Sequence, residues 1–174
     1  MAHPKSEGEA LWNLVERTYA LMKGVILEHN VLFGQRLGDT LDHGQHAASL
    51  AALDAAAQEV LTGSESLEDH ELSRGGTEVI RALVPFVHQS RETIQLLKNL
   101  YKGLGRKAEG GAYGVIAYWR DTRRYKSAEQ RRMELGKTLS AVWQKYALDK
   151  ARSASSSLRQ ERSAGRPKTR HFEP

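Results

Sequence analysis

Between Tyr101 and Lys126 the sequence mixes aromatic rings with cations. The rings are Tyr101, Tyr113, Tyr118, Trp119 and Tyr125, and the cations are Lys102, Arg106, Lys107, Arg120, Arg123, Arg124 and Lys126. A guanidinium fork matches two phosphate oxygens at once, and a ring with a free face stacks on an unpaired base. On a helix, Arg120, Arg123 and Arg124 share one face through spacings of three and four, and Arg131 and Arg132 continue the basic surface. The chemistry this pattern supports is sequence-tolerant recognition of nucleic acid, RNA before DNA, because splayed single strands offer bases for stacking. Tyr118 and Tyr125 also fit an apolar stripe and read as core, whereas Trp119 is open to either role.

A second basic segment lies near the end of the sequence. Gly165, Arg166, Pro167 and Lys168 resemble the Gly-Arg-Pro core of an AT-hook, with Ala164 where a basic residue usually precedes the glycine. Arg166, Lys168 and Arg170 suit equally a plain phosphate-neutralising tail or a nuclear-import segment.

Other chemistries fail on missing partners. His43 and His46 stand three apart near Asp39 and Asp42, but neither Glu-x-x-His nor His-Glu-x-x-His occurs, so they read as solvated histidines and not as metal ligands. His29 falls on an apolar stripe and reads as a hydrogen-bonded core residue. Gly105 and Gly110 have the glycine spacing of a phosphate loop, yet Gly111 and Ala112 stand where Lys and Ser or Thr are needed. There is no Gly-x-Ser-x-Gly elbow, and the absence of cysteine removes thiol catalysis, disulfides and thiolate-held metals. The expectation is a non-enzymatic protein with no cofactor.

The charge distribution points the same way. The 174 residues carry a net charge of +5, but residues 1–100 hold 8 basic and 14 acidic side chains while residues 101–174 hold 18 and 7. Basic character therefore belongs wholly to the second half, the footprint of a polyanion partner or of an acidic protein surface. No apolar run is long enough to span a membrane, and the polar, acidic start does not read as a signal peptide. The expected location is intracellular, cytoplasmic or nuclear, or within a virion.

Positioning these residues falls to helices. Ser6 and Glu9 have capping-box spacing and open a helix over 7–33, with Leu11, Leu14, Thr18, Leu21, Val25 and Leu32 on one stripe. Val15, Tyr19, Met22, Ile26, His29 and Phe33 form a neighbouring stripe. An alanine-rich helix fits 42–62, closed by Gly63, and the acidic stretch 64–76 ends in Gly75-Gly76. Thr77 caps a third helix to Tyr101 with a seam of Ile80, Leu83, Val87, Ser90, Ile94 and Leu97, kinked near Arg81 by Pro85. Residues 112–125 read as a helix, and Ser127-Ala-Glu-Gln130 reads as the cap of another, reaching Lys150 with Leu135, Leu139, Val142 and Tyr146 inward.

The expected fold is all-α: a bundle of three long and one or two shorter helices with a disordered basic C-terminal tail. Residues 1–102 form an acidic core and self-association region, 103–111 a glycine-rich linker, 112–152 a basic helical region, and 153–174 a disordered Ser/Arg-rich tail. In outline this resembles small viral nucleic-acid-binding or packaging proteins, and the expected protein forms homo-oligomers. The competing expectation is a helical adaptor or oligomeric scaffold whose arginine face binds an acidic protein.

Overall fold

The computed structural model describes residues 6–34 and 40–164. Among these the fold is an all-α bundle of four helices: α1 (Glu7–Phe33), α2 (His43–Glu68), α3 (Arg74–Ala108) and α4 (Val115–Ala164). Gly38, Asp39 and the basic residues Arg166, Lys168 and Arg170 lie outside the described residues.

The start of α1 is the expected capping box. Ser6 Oγ accepts from the Glu9 N–H at 3.2 Å, and the Glu9 carboxylate accepts from the Ser6 N–H at 3.3 Å. Successive helices run antiparallel. His46 meets Glu28 at one end of the α1–α2 pair, while Gly63 lies against Leu14 at the other. Arg91 of α3 forks onto Asp54 of α2 at 2.7 and 3.3 Å. Gly103 faces Tyr113, Gly136 faces Phe86 and Gly75 faces Tyr146 along the α3–α4 pair.

The core centres on α3. Its seam is buried throughout: Ile80, Leu83, Val87, Ser90, Ile94, Leu97 and Tyr101 all lie inside. The buried Ser90 hydroxyl donates to the Phe86 carbonyl at 2.8 Å, which removes the cost of an unpaired polar group. Of the two α1 stripes, the one with Leu11, Leu14, Thr18, Leu21, Val25 and Leu32 is buried, while Ile26 of its neighbour is exposed. The backbone of α4 comes close only to that of α3. Aromatic rings fill the wider space between α4 and α1: Trp12 with Trp143 at 5.8 Å, and Phe33 stacked on Tyr125 at 5.5 Å.

Several expected boundaries move. α2 continues through Gly63 to Glu68, because its last turns carry the buried Ser64 and half-buried Leu67 into the bundle. α3 opens at Ser73 and not Thr77: Ser73 Oγ accepts from the Gly76 N–H at 3.1 Å. The helix passes through Pro85 and ends at Ala108, so Gly103 and Gly105 are helical and the expected linker over 103–111 shrinks to a turn between Ala108 and Val115. Gly110, with φ of 81°, supplies the left-handed residue of that turn.

The largest correction concerns α4. Ser127 starts no helix and lies inside one, because Tyr125 and Ala128 on either side are buried. The helix also continues past Arg152 to Ala164 where a disordered tail was expected; the rest of that expected tail lies outside the described residues. No helix among the described residues is long and apolar enough to cross a membrane.

Candidate nucleic-acid interface

The first turns of α4 stand against the outer face of α3 and leave a groove of about 840 Å3 between them. Leu96 and Ala128 contribute apolar lining, and Val115, Ile116 and Trp119 line it from the end nearest the turn. These three are the most open large apolar side chains among the described residues: Ile116 is 86% exposed, Trp119 70% and Val115 66%. Arg120, Arg123, Arg124 and Arg131 rim the same groove, with Glu92 the single acidic residue in its lining. Trp119 is therefore an open ring and not a core anchor.

The arginines differ in how they are held. Arg120 Nε donates to Asp121 at 3.1 Å, and the same carboxylate accepts from the Tyr113 hydroxyl at 3.0 Å. Burial pushes the Tyr113 phenol up to about 12, helped by that Asp121 carboxylate, so it remains a donor at neutral pH. Arg123, Arg124 and Arg131 are exposed, and no carboxylate in the described part of the protein lies within 4 Å to pair with them. A cation already held by a carboxylate gains less from phosphate than one that is free. The free edge of the groove is thus Arg123, Arg124 and Arg131.

Arg132 does not belong to this surface. It is 2% exposed, and its guanidinium forks onto Glu129 at 2.8 and 2.6 Å, with its carbon 6.0 Å from the centre of the Phe86 ring. The reason is register: Tyr118, Tyr125, Arg132, Leu139 and Tyr146 repeat every seven residues and form the inward line of α4. That spacing could have identified Arg132 as buried from sequence alone.

Of the other expected residues, Lys126 is exposed and is not among the residues that line the groove. Arg106 and Lys107 are exposed in the last turn of α3, where cations offset the negative end of the helix dipole. The residues that sequence reasoning missed are Val115 and Ile116, Glu92 and Leu96 from α3, and Asp121. Nothing local in the sequence brings α3 residues to this groove; the antiparallel pairing does.

The histidines have structural places. His29 Nδ1 lies 2.7 Å from the Tyr125 hydroxyl, as a hydrogen-bonded residue of the interior. His46 is not the solvated side chain expected: its Nδ1 is 2.7 Å from Glu28 Oε2, and its ring stacks on Tyr101 at 5.0 Å. Tyr101 in turn donates to the Glu28 carbonyl at 3.0 Å, and burial raises its phenol far above the ordinary value, with Glu28 adding to the shift. No protein-family model, curated protein or solved structure matches this chain.

Proposed function

We propose that the α3/α4 groove binds nucleic acid without strong sequence preference, single-stranded RNA before DNA, and that the protein acts by binding and not by catalysis. The observation that carries this reading is the open Trp119 ring beside the uncommitted cations Arg123, Arg124 and Arg131. Free guanidinium groups grip phosphates through counterion release, which is independent of sequence. An exposed indole offers a flat apolar face to any base, again without reading its edge. Duplexes hide those faces, so the ring favours single strands. Electrophoretic mobility shifts with single-stranded RNA, duplex RNA and duplex DNA test the proposal. The expected order is single strand first, and no shift with any of the three at low salt refutes it.

A second reading is favoured by another surface. Ile26, Leu27 and Val31 of α1 are exposed apolar residues on the acidic half of the chain. They suit a helical adaptor or oligomeric scaffold, with self-association through α1 and the arginine rim facing an acidic protein. Sedimentation of the wild type and of Leu27→Asp tests it, since a homo-oligomer held there would dissociate in the variant.

A further inference from the structure

The α3/α4 groove ends near Arg131, but α4 does not end with it. The bundle last grips the helix where Tyr146 donates to Glu7 at 2.9 Å and Lys150 reaches the same carboxylate at 3.6 Å. From Ala147 onward every side chain with a defined position is exposed. A helix without tertiary partners is only marginally stable in water, so this overhang gains most from contact with a ligand. Arg152 and Arg159 line a shallow depression on it together with Ser155 and Ser156. Arg152 is only loosely engaged by Asp149, at 4.0 Å.

The phase of these residues along α4 connects them to the groove. At about 100° per residue, Arg123, Arg152 and Arg159 fall within roughly 20° of one line along the helix. Arg123 and Arg159 stand about ten turns apart, roughly 54 Å. Between them the same line carries Glu134 and Ala141, with Lys137 and Lys145 about 40° to either side of it, and Lys145 is already held by Glu78 at 3.4 Å. Cations on this face are thus concentrated at its two ends, with the exposed Lys137 between them, on one uninterrupted helix.

We infer that α4 is a two-point ruler for a nucleic-acid strand, with the groove as the first point and the Arg152–Arg159 overhang as the second. The inference rests on the reading of the groove as a nucleic-acid site. A strand shorter than the interval touches one cluster, whereas a longer one reaches both, and the second contact becomes intramolecular. At a stacked rise of about 3.4 Å per nucleotide, the interval corresponds to roughly 16 nucleotides.

Fluorescence anisotropy with oligoadenylates, which stack as single strands, of about 6 and about 24 nucleotides, below and above that span, tests the ruler. The wild type should bind the longer strand at least about tenfold more tightly. The double variant Arg152→Gln/Arg159→Gln keeps helix propensity and touches nothing in the bundle. It should bind the short strand as the wild type does and lose most of the preference for the long one. Absence of a length preference in the wild type, or a preference that survives in the variant, overturns the ruler and leaves the groove reading standing. Failure of the wild type to bind either strand overturns the groove reading and the ruler with it.

Discussion

Two grooves flank α4, one against α3 and one against α1, and they are built from similar material to different effect. Both expose apolar side chains: Ile116 and Trp119 in the first, Ile26 and Met133 in the second. Both contain arginine. In the α3/α4 groove the guanidinium groups stand on the rim, and no carboxylate among the described residues lies within 4 Å of Arg123, Arg124 or Arg131. In the smaller α1/α4 groove, of about 490 Å3, Arg132 lies in the floor and is neutralised by Glu129. Arginine content therefore says little by itself about polyanion binding. What matters is whether the fork is already occupied and whether water reaches it.

The largest expected effect separates neighbouring residues. Arg132→Ala strands the Glu129 carboxylate and uncovers Phe86, and should destabilise the fold by roughly 3–5 kcal/mol. Arg131→Gln should leave stability within about 0.5 kcal/mol. It should instead lower the salt dependence of single-strand binding by about 0.7 in log–log slope. Chemical denaturation and salt-titrated binding of both variants check this, and the reverse pattern would abolish the contrast between the grooves.

The apolar residues offer the next comparison. Trp119→Ala should weaken single-strand binding by about 1–3 kcal/mol without lowering Tm, since the ring lies open. Met133→Ala, an open side chain of the other groove, should leave binding unchanged. Equal losses in the two would mean that exposed apolar area alone drives association. Charge gives a smaller readout: Arg120→Gln/Arg123→Gln/Arg124→Gln should flatten the single-strand salt slope by about 2, while Lys137→Gln on the other side should not move it.

The smallest effect serves as a control remote from the α3/α4 groove. Burial pushes the Glu7 carboxyl up, but donors from the Ser73 backbone and hydroxyl, from Tyr146, and the Lys150 charge together hold it below the ordinary 4.5. Because the folded state favours the ionised form, this contribution is present above the unfolded-state pKa and is lost as pH falls through the lower folded value. Glu7→Gln should cost about 1 kcal/mol at neutral pH. It should also flatten the decline of Tm below about pH 4.5, with RNA affinity unchanged.

The helices were legible in the sequence wherever burial imposes a period. The capped α1 and the α3 seam from Ile80 to Tyr101 are where their spacing puts them. The misplaced boundaries share one physical cause, which is that local signals were read without their tertiary partners. Gly75-Gly76 looked like a break, yet the absent side chain at Gly76 admits Glu7 and Leu11. Ser127 looked like a cap because nothing local reveals that α3 supports the helix on both sides of it. In the candidate site, Trp119 and the arginines from Arg120 to Arg131 were legible as a helical face. Arg132 departs from that face because its seven-residue register with Tyr125 and Leu139, and not its charge, decides where it lies.

The tight turn before α4 couples backbone shape to surface potential. Gly103 is buried where the Tyr113 ring crosses α3, and a methyl group there would collide with that ring. The ring's hydroxyl occupies one oxygen of Asp121 while Arg120 takes the other. Displacing the ring would free the carboxylate to draw Arg120 fully to itself and add an unshielded negative charge at the mouth of the groove. Gly103→Ala, a change of one methyl group at a buried position outside the groove lining, is therefore expected to act as an electrostatic attenuator. It should lower polyanion affinity at low salt, with the difference from wild type closing as added salt screens the released carboxylate.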